Sequence, residues 1–197
     1  MRFSSLTQTR AGRVALAAVP TVAALAFIGG GVAQGVVPVS MAVSGQQFKI
    51  SADRLEGTGF SQYAGVAVEA DETTQHPAAI ANITDATLVN LCQSIKTPVG
   101  VSLVIHAGTD PEKPVTASNL QIGMDNLAGD ATFSAIRIGV DASTVGTQAK
   151  GDQNDFAMDA DGVVIDNLKQ VSWSTQAAVF RLTDLSLAVN MAGDECF

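Results

Sequence analysis

Few residues in this chain are of a type that does covalent or metal chemistry. There are two histidines, His76 and His106, and two cysteines, Cys92 and Cys196. A serine hydrolase needs a histidine to take the proton from its nucleophile. The nearest approach to a nucleophile elbow, G-x-S-x-G, is Gly59-Phe60-Ser61-Gln62-Tyr63, which lacks the second glycine. Ser61 with His106 is the pairing from which an esterase could be built, and no motif supports it. His106 ends the apolar run Ser102–His106 and reads as a strand-end histidine with a backbone partner. His76 precedes Pro77 in a polar stretch and reads as solvated.

Metal chemistry fares no better. His76, Cys92 and His106 lack zinc-site spacing. Asp152, Asp155, Asp159 and Asp161, ahead of Gly162, form an oxygen-rich cluster of the sort that can hold Ca²⁺, but not with EF-hand spacing. The plainer reading is a solvated turn. Trp173, in the run Val171–Thr175, reads as core or interface. No glycine-rich phosphate loop opens a helix. No catalytic, cofactor or metal residue is assigned.

The cysteines have a different reading, which depends on the N-terminus. Arg2, Arg10 and Arg13 precede an uncharged stretch, and Val14–Ile28 is dense in Ala, Val and Leu before Gly29–Gly31. A positive flank, an apolar stretch and a small-residue exit are the parts of a secretory signal. Cleavage is expected after Ala33 or Ala42. The rival is an uncleaved anchor helix, since Val14–Val39 is long enough to span a bilayer. Under either reading the arginines keep their end cytoplasmic and the rest lies outside. Residues 1–42 are thus a signal peptide or membrane anchor, and 43–197 an exported domain, secreted or on the outer face of the cell membrane. In that setting Cys92 and Cys196 most simply form one disulfide, with two free thiols or one reactive thiol as the alternatives.

The 197 residues are 47% hydrophobic but only 5% aromatic and 15% charged, so the core must be aliphatic. The formal charge is −8; without the three N-terminal arginines, 8 basic and 19 acidic residues leave −11. An acidic domain without a basic cluster excludes nucleic acid as a partner and argues against docking on anionic lipid.

From Gln46 onward, short alternating runs are separated by turn residues. Strands are expected at Phe48–Leu55, Tyr63–Ala70, within Ala78–Leu91, at Val99–Ala107, Val115–Met124, Ala131–Val140, Phe156–Met158, Gly162–Leu168, Val171–Thr175, Ala177–Leu182 and Leu185–Val189. Leu88–Ile95 reads alternatively as a short helix. The class is all-β: a single domain of short antiparallel strands in a sandwich, barrel or curved open sheet. Asp125-Asn126-Leu127 recurs as Asp166-Asn167-Leu168, and more loosely as Ser118-Asn119-Leu120, Thr183-Asp184-Leu185 and Ala52-Asp53-Arg54-Leu55. No fixed period emerges. A polar pair followed by Leu suits a turn that returns an apolar residue to the core.

Ser44–Tyr63 (SGQQFKISADRLEGTGFSQY) and Asp85–Ile95 (DATLVNLCQSI), with the arginine-bearing signal and Cys196, resemble a family of uncharacterised exported actinobacterial proteins. Some of its members are labelled cholesterol esterases. The expected function is a non-enzymatic envelope domain that binds a lipid, another hydrophobic molecule or a membrane protein partner. The alternatives are a structural surface domain that self-associates through edge strands, and the lipid-ester hydrolase that the family label implies.

Overall fold

The structure, a computed structural model, describes residues 40–197. The Val14–Val39 segment and the cleavage point after Ala33 lie outside the described residues. Ten strands follow in order: β1 (Ser40–Val43), β2 (Phe48–Glu69), β3 (Gln75–Val89), β4 (Leu91–Lys96), β5 (Ser102–Ala107), β6 (Val115–Ser134), β7 (Arg137–Asp141), β8 (Phe156–Gln176), β9 (Val179–Arg181) and β10 (Ser186–Asn190). A single 3-10 turn, Ala142–Thr144, is the only helical element among the described residues.

Four strands dominate. β2, β3, β6 and β8 are 22, 15, 20 and 21 residues long. Their antiparallel ladders run β2–β3, β3–β6, β6–β8 and β8–β2, so the four close into a small barrel. The other strands extend its walls. β4, β5 and β10 continue the sheet beyond β2, β7 pairs with β8, and β9 with β6. β1 lies parallel to Val66–Glu69 of β2.

The barrel core shows a period that the alternation of the sequence conceals. Its buried residues fall at Ile50, Ala52, Leu55 and Phe60 on β2, and at Ala81, Ile83, Ala86 and Leu88 on β3, with Leu91 following. On β6 they are Val115, Ala117, Leu120 and Ile122, and on β8 Ala160, Val163, Ile165 and Leu168. A strand alternates with period two. Here two alternating positions are followed by one extra residue, so the inward face repeats every five.

The extra residues explain the faint repeats. Asn90, Asn119 and Asn167 have φ of 54°, 48° and 56°, the left-handed region that Asn tolerates better than most side chains. The residue after each is a buried leucine: Leu91, Leu120 or Leu168. Asn167 lies where the β2–β8 ladder skips from Ala52↔Leu168 to Arg54↔Asp166, and Asn119 where β3–β6 skips from Ile83↔Leu120 to Asp85↔Ser118. Asn90 donates to Asp53 at 3.1 Å and Asn167 to Asp130 at 3.2 Å. Two copies behave differently. Leu185 and Leu127 are exposed, although Asp184 is left-handed at φ 52°.

Several expected breaks are absent for the same reason. Phe48–Leu55 and Tyr63–Ala70 belong to one strand that passes through Gly57 and Gly59. A Cβ on Gly57 would sit 2.5 Å from Ile83 Cγ2, and Gly59 has φ +64° beside Thr84. These glycines serve close packing and phase correction rather than turns. Likewise Asp125–Asp130 lies within β6, and the three runs between Phe156 and Thr175 are all β8. The helix reading of Leu88–Ile95 is corrected: β4 is a strand, and left-handed Asn90 shifts the apolar spacing to resemble a helical one. Val99–Ala107 is shorter than expected: β5 begins at Ser102, and Val99 is exposed.

Cys92 on β4 is joined to Cys196, sulfur to sulfur at 1.97 Å, across 104 residues. Closing a loop of this size is worth about 4–5 kcal/mol in the chain-entropy model. Reduction is therefore expected to lower the unfolding free energy by up to about that amount, measured by urea denaturation with and without reductant. In the same assay Asn167→Gly leaves stability nearly unchanged. Asn167→Val costs about 1–2 kcal/mol for a β-branched residue forced into the left-handed region.

Candidate functional site

Ser61 is placed by β2, opposite Asn82 of β3 and Asp159 of β8. It is completely buried. Gln121 Nε2 donates to Asn82 Oδ1 at 2.9 Å, and Asn82 Nδ2 donates to Ser61 Oγ at 3.2 Å. Ser61 Oγ donates in turn to Thr147 Oγ1, which donates to the carbonyl of Ala149 at 2.9 Å. All donors point along one chain, so the bonds polarise one another. Tyr63 lies beside this row. Burial raises its phenol above the ordinary value, against hydrogen bonds with Asn82 and Gln121 that lower it.

His106 is elsewhere. It lies on β5 opposite Cys92, which lies opposite Ser51 of β2. Ser51 and Ser61 are ten residues apart on one strand, an arc of roughly 30 Å. Ser61 and His106 are not brought together, and the hydroxyl of Ser61 is already engaged. His106 is exposed, with Nε2 4.0 Å from the disulfide sulfur of Cys92.

The segment after β10 crosses β4 and β5 as a strap. Ser102 Oγ donates to the carbonyl of Asp194, and Cys196 N donates to Ser94 Oγ at 3.0 Å. Lys49 Nζ reaches Glu195 at 3.1 Å and the carbonyl of Phe197 at 2.8 Å. Lys49 and Lys169 stand over the Phe197 ring at 5.3 and 5.7 Å. An open groove of about 500 Å³ runs along the strap between Asp53, His106, Asn190 and Phe197. A second open groove of about 410 Å³ lies between Tyr63, Pro77, Met124 and Phe156.

His76 is not a solvated loop residue. It lies on β3 opposite Ala67, half-buried, with Nε2 2.8 Å from Glu69 Oε1. Its ring stacks on Trp173 at 3.8 Å and 14°. Trp173 is the extra residue of a bulge, since β6 pairs Met124 with Ser172 and Gly123 with Ser174. It packs against a second small core of Tyr63, Ala67, Ala78, Ile80, Ala142, Val145 and Ala157. Trp173 thus has the core role expected of it, with a histidine partner that spacing did not suggest.

The acidic cluster is dispersed. Asp159 is buried, takes Arg137 Nε at 2.9 Å on one oxygen and Arg137 Nη2 on the other, and accepts from Gly146 N at 3.2 Å. The loop is instead organised by Asp141, whose carboxylate accepts from Ser143 Oγ, Ser143 N and Asn154 N; these bonds hold it below its ordinary pKa. Among the described residues no group of three or more His, Cys, Asp and Glu side chains converges as metal donors.

Fold and polar groups together define a closed all-β domain with open surface grooves and a buried hydroxyl–amide row. The chain belongs to a family of unknown function, DUF6230, whose model matches residues 44–197. No curated protein and no solved structure matches it.

The buried row was missed from sequence, although Asn82 stands out as a polar residue inside the apolar run Ala78–Ile83. Ser61→Ala leaves Asn82 and Thr147 each short of a partner, at an expected cost of about 1–3 kcal/mol. His106→Ala, at an exposed position, is expected to stay within about 0.5 kcal/mol of the parent. Urea denaturation of the two variants checks this ordering.

Proposed function

We propose that this chain is an exported, non-enzymatic surface domain of the cell envelope that works by binding a hydrophobic partner on its outside. One observation carries the reading: the barrel is filled by its own side chains, while large apolar residues are left exposed on its appended strands. Leu55, Phe60, Ile83, Leu88, Leu120 and Ile165 are among those that occupy the interior. Val179 and Phe180 on β9, Leu187 and Val189 on β10, and the neighbouring Leu185 and Met191 face solvent. Leu187 and Val189 share one face of β10, and exposed apolar residues side by side mark interaction surfaces more often than scattered single ones do.

Export is supported by the arginine-flanked apolar N-terminus and by the disulfide, which suits an oxidising compartment. No helix among the described residues is long and apolar enough to cross a membrane. The resemblance to exported actinobacterial proteins agrees with this placement. The esterase label receives no support from Ser61 and His106.

The test is retention of the full chain on the envelope fraction of its exporting host. Leu187→Asp with Val189→Asp is expected to lower retention at least about tenfold, the equivalent of about 1.4 kcal/mol. Unchanged retention overturns the surface reading. Turnover of short-chain or sterol esters that disappears in Ser61→Ala overturns the non-enzymatic one.

A further inference from the structure

The sheet formed by β2, β4, β5 and β10 leaves the barrel and ends at β10, which among the described residues pairs only with β5. Among the described residues its outer row of backbone donors and acceptors is unpaired, a template for another strand. Proteins usually blunt such an edge with charge, proline or a bulge. The opposite end of the sheet does so: β7 carries Arg137 and Asp141, and its ladder with β8 has an irregularity between Ile138 and Val140. β10, Ser186-Leu187-Ala188-Val189-Asn190, has no charge and no proline, and its ladder with β5 is regular throughout.

We propose that this edge pairs with β10 of a second copy of the same chain, antiparallel, about a two-fold axis through Ala188. The inference rests on the surface reading above and names its partner. Outward-facing backbone groups recur at every second residue, so an antiparallel self-pairing must match odd positions with odd ones. Among the registers this allows, centring on Ala188 is the one that pairs all five residues of β10. Leu187 then faces the partner's Val189 on one surface of the joined sheet. Both side chains are more than half exposed in the single chain. Moving the centre to Leu187 or to Val189 leaves two of the five residues without a partner in the strand.

The charges fit the same register. β10 carries no charged residue, so no like charges are directly opposed along the pairing. Cross-strand apolar pairs contribute roughly 0.2–1 kcal/mol each, and like charges directly opposed are destabilising. Two acidic copies still repel at longer range. Salt is therefore expected to strengthen the association by screening, whereas docking of a basic partner would weaken with salt.

Sedimentation velocity of the full chain over a wide concentration range tests the association. A dimer that grows with concentration and with ionic strength is expected. Cysteine cross-linking tests the register. Ala188→Cys is expected to form a covalent dimer on mild oxidation, and Ser186→Cys alone is not. A mixture of Ser186→Cys and Asn190→Cys chains is expected to cross-link. Leu187→Asp raises the dissociation constant by about tenfold or more, with the urea midpoint as a control for folding. A chain monomeric at all concentrations, or Ser186→Cys cross-linking better than Ala188→Cys, overturns the proposal. If the chain is monomeric but Leu187→Asp with Val189→Asp still loses envelope retention, self-pairing fails and the surface reading stands.

Discussion

Four strands close into a barrel only if each is strongly coiled, because barrel diameter falls with strand number. Every extra residue in a strand adds local right-handed twist and a bend. In this chain the core positions step by two and then three; left-handed Asn90, Asn119 and Asn167 each lie in a step of three, and left-handed Gly59 lies between Gly57 and Phe60. The corrections also align between neighbours. Asp53 of β2 sits in the gap opposite both Asn90 and Asn167, and Thr84 opposite both Gly59 and Asn119. A five-residue inward period shared by adjacent strands lets them bend together and keep their ladders.

A narrow bore sets the composition. Ala52, Ala81, Ala86, Ala117 and Ala160 are all buried in it, and Gly57 is held where even a methyl group would strike Ile83. Phe60 is the one aromatic among the buried residues of the barrel core, tilted against half-buried Phe133 at 5.3 Å. This accounts for a chain rich in small aliphatics and poor in aromatics. It also leaves the bore occupied by the chain's own side chains. The Gln121–Asn82–Ser61–Thr147 row belongs to the same logic: buried polar groups must be paired, and each of these is.

The same period explains what the sequence could and could not reveal. The all-β class was legible, because turn residues and β-branched runs alternate throughout. The Asp-Asn-Leu and Ser-Asn-Leu copies were visible as repeats, but each had to be paired with a strand on both sides before its role as a phase shift became clear. Each shift interrupts alternation, so one strand of 20 residues or more reads as two or three short ones. The Cys92–Cys196 pairing followed from counting cysteines. The stack of His76 on Trp173 did not, because it joins residues about 100 positions apart through a bulge that only the β6–β8 register creates.

Barrel closure removes edges from its four strands but not from the strands attached to them. β4, β5 and β10 leave the barrel wall with little core of their own: Leu103, Val104 and Ile105 are only partly covered, and every residue from Ser186 to Val189 is exposed. What holds this extension is fastening at its base. The disulfide ties β4 to the segment beyond β10, Lys49 of β2 grips Glu195 and the Phe197 carbonyl, and Ser94 and Ser102 anchor the backbone between. Covalent and polar restraint thus stands in for burial. An apolar strand kept in place and, among the described residues, uncovered is what the proposed pairing of β10 requires.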